Sequence, residues 1–168
     1  MLKTPYTLAI IAANSGVGKT TFIEKIIPGL LQKGLKLSVV KHAHHNFDVD
    51  QPGKDSYRLR KAGAYQTLIM NQKRSALLTE FANDPDTFEK AIKKMDQNVD
   101  LIIIEGLKSL NFPKIEVYRS TTSLNKLVDD DPSIIAVVSD MMFPCKKPLF
   151  DINNTDAIEQ FICNLIKR

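Results

Sequence analysis

One short loop restricts the fold of this chain more than any other part of its sequence. Residues 13–21 read Ala-Asn-Ser-Gly-Val-Gly-Lys-Thr-Thr and match the pattern G-x-x-x-x-G-K-[ST], except that Ala13 stands at the first glycine. Residues 6–13, before the loop, are apolar without alternation, as in a strand covered on both faces. An amphipathic helical pattern follows the loop and ends near Gly34. This order of strand, loop and helix is the context in which backbone N–H groups surround a phosphate.

The rest of the chain alternates between apolar strands and amphipathic helices. Further strands are predicted at residues 36–42, 65–70, 74–80, 100–105, 115–118 and 134–140. Helices are predicted after the glycine loop, from a cap at Asp55 to about Gly63, from Asp84-Pro85 onward, and at the C-terminus. The polar turn at residues 71–73 predicts that the two strands beside it form a hairpin.

This order of elements predicts an α/β fold that is P-loop NTPase-like. It has a mostly parallel, twisted sheet flanked by helices, with some antiparallel edge or hairpin strands. The length of 168 residues suits a single nucleotide-binding domain over residues 1–168. Ligands of such sheets lie at the carboxyl ends of the parallel strands. We therefore expect the chemistry to gather after Ala13, His42, Glu105 and Asp140.

The glycine loop predicts a site for nucleotide phosphates and Mg²⁺. Gly16 and Gly18 let the backbone curl, Lys19 is placed to bridge the terminal phosphates, and the Thr20 hydroxyl is placed to ligate Mg²⁺. The nucleotide-binding residues predicted in this loop are Asn14, Ser15, Gly16, Val17, Gly18, Lys19, Thr20 and Thr21.

An acid after the strand 100–105 completes this prediction. If the strand runs parallel to residues 6–13, Glu105 lies at the phosphate end and is the second Mg²⁺ ligand, whereas Asp100 lies at the other end. Gly106 allows the backbone to approach a phosphate closely. Lys108 either reaches the same anion or is an ordinary solvated lysine.

The loop at residues 41–50, Lys-His-Ala-His-His-Asn-Phe-Asp-Val-Asp, should emerge at the same edge of the sheet. Its three histidines, His42, His44 and His45, are the only ones in the chain and suggest a transition-metal site. A catalytic or substrate-contacting loop is the favoured interpretation, with Asp48 or Asp50 orienting water or adding a carboxylate to Mg²⁺.

Two further patterns leave alternatives open. The helix after this loop carries Lys54, Arg58, Arg60 and Lys61, which form either a solvated basic face or a surface for a phosphorylated or acidic ligand. Asp140, at the end of the strand 134–140, either accepts hydrogen bonds from guanine or caps a turn. Residues 125–129 resemble a guanine-recognition motif, but the acid comes one residue too late. The residues alone do not choose between GTP and ATP.

Composition limits the remaining classes. The net charge of +4 and pI of about 9.0 suit an anionic ligand, but no long basic run indicates nucleic acid. No stretch is long enough to span a membrane, and the two cysteines form no disulfide framework, with Cys163 expected to be buried. We expect a cytoplasmic protein.

These features together resemble the MobB family, molybdopterin-guanine dinucleotide biosynthesis protein B. The segments that carry the resemblance are AANSGVGKTT (12–21), KHAHHNFDVDQPGKDSYRLRKAGA (41–64), LLTE (77–80), IIEGLK (103–108), AVVSD (136–140) and LFDIN (149–153). The 41–64 segment is the most specific of them.

The resemblance implies a GTP-binding protein that works beside MobA, the guanylyltransferase that joins GMP to molybdopterin. It implies a P-loop fold, a homodimer and slow GTP hydrolysis with Mg²⁺, and molybdopterin is a further possible ligand. It supports residues 14–21 as the phosphate loop and Glu105 as the acid near Mg²⁺. It also marks Asp48, Asp50 and Glu80 as site candidates.

The sequence provides no positioned glutamine and no evident arginine finger, so slow turnover is expected. Three alternatives to an accessory GTPase remain at this stage. They are a small-molecule kinase with Asp48 as base, a metallochaperone GTPase that uses the three histidines, and an adaptor in which hydrolysis has no role.

Overall fold

The structure is a computed structural model that describes residues 4–43, 47–81, 86–123 and 125–167. In chain order its elements are β1 (Tyr6–Ile11), α1 (Lys19–Gln32), β2 (Leu37–Lys41), α2 (Asp55–Lys61), β3 (Gln66–Met70), β4 (Ser75–Thr79), α3 (Phe88–Lys93), β5 (Leu101–Glu105), β6 (Lys114–Tyr118), β7 (Ile134–Ser139), β8 (Leu149–Asp151) and α4 (Thr155–Ile166). The chain divides into two compact units: the first holds residues 1–42 and 97–168, and the second holds residues 43–96. The single domain over residues 1–168 stays a prediction.

A six-stranded sheet forms the first unit, in the order β2-β5-β1-β6-β7-β8. Every described pair of neighbouring strands in it is parallel. The fold class predicted from the sequence is therefore confirmed. Strand β1 is central, and β5 lies beside it in parallel, with Ile10 opposite Glu105. The carboxyl ends of β2, β5, β1, β6 and β7 consequently meet at one edge of the sheet.

Helices α1 and α4 pack against each other and contribute to the core of this unit. Their contact is close at Gly29, where an added Cβ would lie 2.0 Å from the carboxylate of Glu159. Glu159 is buried, and Lys33, the C-cap of α1, donates to it at 2.8 Å. Gly29 thus leaves the space in which a buried acid can pair with a lysine.

Buried charges fix the segment between β6 and β7. Glu116 of β6 is fully buried and accepts hydrogen bonds from the backbone N–H groups of Leu127 and Val128, at 2.8 and 2.9 Å. Burial raises the pKa of Glu116, although these two donors favour its charged form. Lys114, also buried, pairs with Asp131 at 3.2 Å. The described residues of this segment therefore follow a defined path without helix or strand.

Most predicted elements are present, and the differences lie at their ends. Asp55 is the first residue of α2 and Lys54 is its N-cap, so the predicted cap at Asp55 is one residue late. The predicted helix start at Asp84-Pro85 lies outside the described residues, and α3 is capped by the side chain of Thr87. Strand β8 was not predicted, because three residues carry too little periodicity. Cys163 is buried, as expected.

The second unit contains the predicted hairpin, β3 and β4, as a separate antiparallel sheet. Helix α2 packs on β3. Much apolar surface of this unit is exposed: it holds nine of the thirteen exposed large apolar side chains among the described residues. Leu68 and Leu77 lie opposite each other across the hairpin, and both are more than half exposed.

Candidate functional site

The glycine loop in the first unit has the backbone of an anion cradle. Gly16 and Gly18 have φ angles of 78° and 104°, which side chains larger than glycine rarely adopt. Between them the Val17 side chain is fully buried, so the loop is anchored in the core. Gly18 is the N-cap of α1 and has no capping side chain. The first N–H groups of the helix therefore face the loop with their positive dipole end.

Two lysines point their ammonium groups at the carbonyls that begin this loop. Lys19 Nζ donates to the carbonyl of Asn14 at 3.3 Å, and Lys108 Nζ donates to the carbonyl of Ala13 at 2.8 Å. Burial lowers the pKa of Lys19, and the charges of Lys108 and Lys41 act in the same direction while Glu105 opposes them. An anion in the loop would relieve this repulsion. Lys108 thus lies at the loop, and its contact with an anion stays a prediction.

The two predicted Mg²⁺ ligands lie in contact. The Thr20 hydroxyl donates to Glu105 Oε1 at 2.6 Å. Strand register explains the pairing, because Glu105 ends β5 directly beside β1. Lys41, which ends β2 opposite Glu105, holds its Nζ 3.4 Å from Oε2 of the same carboxylate. Gly106 follows with a φ of 89°, and its N–H donates to the carbonyl of Ile10 at 2.9 Å.

Arg119 is a cation of this site that the sequence did not reveal. It follows β6, the neighbour of β1, and its Nε donates to the carbonyl of Val17 at 2.9 Å. The guanidinium also packs on Gly18, where an added Cβ would lie 3.3 Å from Nε. The available signal was the end of a strand at 115–118, but only the strand order shows that this end adjoins the glycine loop.

Residues 119–123 connect the glycine loop to the end of β7. The Asn14 side chain donates to the carbonyl of Thr122 at 2.9 Å. Asp140 accepts from the backbone N–H of Ser120 at 2.9 Å and from its hydroxyl at 3.4 Å. Both oxygens of Asp140 therefore have partners that hold a turn, which is the second of the two interpretations of this residue. Its contact with a guanine base stays a prediction.

Three predicted site residues belong to the second unit, where they surround Arg60. The Arg60 guanidinium lies 2.6 Å from Asp48, 2.7 Å from Asp50 and 3.0 Å from Glu80. These hydrogen bonds, that of Asp50 first, raise the pKa of Arg60, and Arg60 in turn lowers the pKa of Asp50. Arg60 is thus not part of a solvated basic face, because its side chain is only 8% exposed. Catalytic or nucleotide-binding roles for the three acids stay predictions.

A cavity of about 880 Å³ adjoins this charge cluster. Its wall combines three members of the cluster, Asp48, Arg60 and Glu80, with apolar side chains. The other lining residues are Ala43, Phe47, Val49, Lys61, Leu77, Leu78, Thr79 and Phe81. The second unit therefore has a concave surface that is both charged and apolar.

The histidine-based metal site is only partly within the described residues. His44 and His45 lie outside them. Within the described ranges, no three His, Cys, Asp or Glu side chains are grouped so that they could hold a metal ion. No helix in these ranges is long and apolar enough to cross a membrane.

The parallel sheet, the glycine loop at its central strand and the Thr20–Glu105 contact define a P-loop protein. The family model for MobB, Molybdopterin guanine dinucleotide synthesis protein B, matches residues 8–140. The chain belongs to the MobB family.

Curated relatives and solved structures agree with this assignment. The molybdopterin-guanine dinucleotide biosynthesis adapter protein of Escherichia coli (strain K12) is 39% identical, over 99% of this chain and 97% of the relative. Its namesake in Haemophilus influenzae (strain ATCC 51907 / DSM 11121 / KW20 / Rd) is 37% identical, over 92% of this chain and 86% of the relative. A crystal structure of molybdopterin-guanine biosynthesis protein B (mobB) has a TM-score of 0.75 and 25% identity, covering 96% of this chain and 99% of that one.

Proposed function

We propose that this chain is a GTP-binding accessory protein of molybdenum cofactor biosynthesis that assists the attachment of GMP to molybdopterin. Its partner in the cytoplasm would be a MobA-like molybdopterin guanylyltransferase. The observation that carries the nucleotide part is the group of cations at the glycine loop, Lys19, Lys108 and Arg119, beside the Thr20–Glu105 pair. The biosynthetic part rests on the names of the relatives, which are adapter proteins of this pathway.

Each group at the loop has a distinct task in binding a nucleotide. The loop N–H groups and Lys19 would neutralise the phosphates. The Thr20 hydroxyl and the Glu105 carboxylate supply hard oxygen donors 2.6 Å apart, which fit Mg²⁺. Mg²⁺, when bound there, would neutralise charge on the phosphate oxygens. Lys41 would then give up part of its contact with Glu105, because the metal competes for the same carboxylate.

Hydrolysis by this site is expected to be slow. The described side chains with hydrogen bonds at the loop contact either a charged group or a backbone carbonyl. None of them is a glutamine that could orient the attacking water. The protein would therefore act chiefly by holding GTP, or molybdopterin, for its partner.

Calorimetric titration with non-hydrolysable GTP and ATP analogues, with and without Mg²⁺, tests this proposal. We expect the GTP analogue to bind at least about tenfold more tightly, since guanine recognition adds at least one hydrogen bond to a charged group. Binding should also tighten with Mg²⁺. A preference for ATP would overturn the guanine assignment and favour a small-molecule kinase. Absence of binding to both analogues would contradict the nucleotide proposal.

We also propose that the second unit mediates a homodimer. The support is the concentration of exposed apolar side chains on residues 43–96, together with a two-stranded sheet whose outer edges are both open to pairing among the described strands. The partner that matches such a surface is a second copy of this chain, because a two-fold axis would bury the same leucines of both copies against each other.

Replacing Leu68 and Leu77 together by serine is expected to shift the protein from dimer to monomer. The two side chains form an exposed cross-strand pair, so serine removes apolar area without emptying the core. Sedimentation equilibrium would measure an increase of about 10-fold or more in the dimer dissociation constant. Leu31→Ser, at an exposed leucine of α1, is the matched control and should leave the dimer intact. A monomeric wild-type protein would contradict the proposal.

A further inference from the structure

We propose that Arg119 is a phosphate-contacting residue, supplied by the same chain from the end of β6 to the nucleotide in the glycine loop. This inference rests on the proposed nucleotide function and adds a specific residue to it. Arg119 lies outside the glycine-loop pattern of residues 13–21, so that pattern does not predict its role.

The strand order places Arg119 on the side of the loop opposite to Lys41 and Lys108. Lys41 ends β2 and Lys108 follows β5, and both strands lie on one side of β1. Arg119 follows β6, which lies on the other side of β1. A phosphate chain in the loop after β1 would therefore meet positive charge from both sides.

The guanidinium is held at the loop by one edge. Nε donates to the Val17 carbonyl at 2.9 Å, and the group lies against Gly18, the N-cap of α1. Among the described residues, no carboxylate lies within ion-pair distance of Arg119. A guanidinium has five N–H donors in a planar fork, so the terminal nitrogens can donate to phosphate oxygens while Nε keeps its bond.

The backbone around Arg119 is fixed before any ligand arrives. Its N–H donates to the Ser123 hydroxyl at 2.9 Å, and its carbonyl accepts from the Ser123 N–H at 2.9 Å. The same turn is tied to the glycine loop by Asn14 and to β7 by Asp140. Little conformational entropy would therefore be lost when the arginine binds a phosphate.

The alternative to this proposal is a purely structural arginine that only pins the Val17 carbonyl. Arg119→Gln retains an amide N–H donor but loses the charge, whereas Arg119→Lys retains the charge but loses the fork. Lys126→Gln is the matched control, because it removes one charge from a side chain that lies over the Phe143 ring, 4.1 Å from its centroid.

Calorimetry with the non-hydrolysable GTP analogue is expected to show about 10- to 100-fold weaker binding for Arg119→Gln, with Arg119→Lys between it and the wild type. Lys126→Gln should bind like the wild type. The ³¹P spectrum of the bound analogue is the readout that pinning alone would not move. In Arg119→Lys, we expect one phosphate resonance to shift while the others stay in place.

Three results would overturn the proposal. If the wild type binds the analogue and Arg119→Gln binds it equally well, the nucleotide function stands and the assignment of Arg119 fails. If the affinity falls but all ³¹P resonances of the Arg119→Lys complex match those of the wild type, the arginine is structural. A wild-type protein that binds no analogue would overturn the nucleotide function, and this assignment with it.

Discussion

Lys19→Ala is expected to weaken binding of a non-hydrolysable GTP analogue by roughly a hundredfold, because a charge-assisted contact to the phosphates is lost. Lys19 is the first residue of α1, and its ammonium already lies at the mouth of the glycine loop, 3.3 Å from the Asn14 carbonyl. Burial and the neighbouring lysines lower its pKa, so an anionic phosphate is the partner that favours its charged form. Isothermal titration calorimetry measures the loss directly.

The matched control for this variant is Lys25→Ala, which removes an exposed lysine from the same helix. It changes the net charge by the same amount, so any general effect of charge on nucleotide binding appears in both variants. Equal affinity of Lys19→Ala and Lys25→Ala would show that the loop does not hold the phosphates. Thermal unfolding of both proteins without nucleotide would establish that the comparison is made between folded chains.

Much of this site was accessible from sequence because its parts lie at the ends of strong apolar strands. Two inferences place Glu105 at the same edge of the sheet as Thr20: that residues 6–13 and 100–105 are strands, and that they run parallel. Both inferences rest on long runs of buried residues, for which hydrophobic pattern is most informative. The contact itself also needs β5 to lie beside β1 and the glycine loop to bring Thr20 to that edge of the sheet.

The missed parts depend on strand order and side-chain direction, which one-dimensional patterns do not contain. Arg119 reaches the glycine loop only because β6 lies beside β1, and no local signal specifies that neighbour. Asp140 was correctly placed at a strand end, but its two partners come from Ser120, on a different loop. Local composition predicts neither contact.

Arg60 is the clearest case in which composition misled. It lies close in sequence to Arg58 and Lys61, so the composition predicts a helix that is basic on all sides. The fold instead turns Arg60 inward, with 8% of its side chain exposed, while Arg58 keeps 75% of its own exposed. Two residues along a helix correspond to about 200° of rotation, which separates a buried position from a solvated one.

Arg60→Ala should produce the largest loss of stability. Asp50 lies beside Arg60 with only 2% of its side chain exposed, and removal of the guanidinium would leave it buried without its ion-pair partner. Asp48 and Glu80 would lose the same partner. An uncompensated buried charge is among the most destabilising single changes, and we expect the unfolding midpoint to fall by about 10 °C. Amide hydrogen exchange should localise the loss of protection to residues 43–96.

Arg58→Ala in the same helix is the matched control. Its pair with Asp55 is 3.5 Å long and highly exposed on both sides, so the midpoint should change by no more than about 2 °C. Arg60→Lys should be intermediate, since it retains a charge but cannot contact three carboxylates with one planar group. Equal midpoints for the two alanine variants would show that the cluster contributes nothing to stability.

The pH dependence of the difference between the wild type and Arg60→Ala tests whether the lost charge causes the loss of stability. Arg60 lowers the pKa of folded Asp50 below its ordinary value near 4, chiefly through their hydrogen bond. The stabilisation from this pair is therefore complete above that ordinary value and is lost as the pH falls through the lower, folded-state pKa. The difference in unfolding midpoint between the wild type and Arg60→Ala should shrink as the pH falls, because burial would let Asp50 of the variant protonate above its ordinary pKa and so relieve its unpaired charge. It should shrink further below about pH 4, where the wild type loses its own ion pair. If the difference stayed constant through the acidic range, the loss of stability would come from the packing of the arginine side chain and not from its charge. Arg60 Cζ lies 5.3 Å from the centroid of the Tyr57 ring.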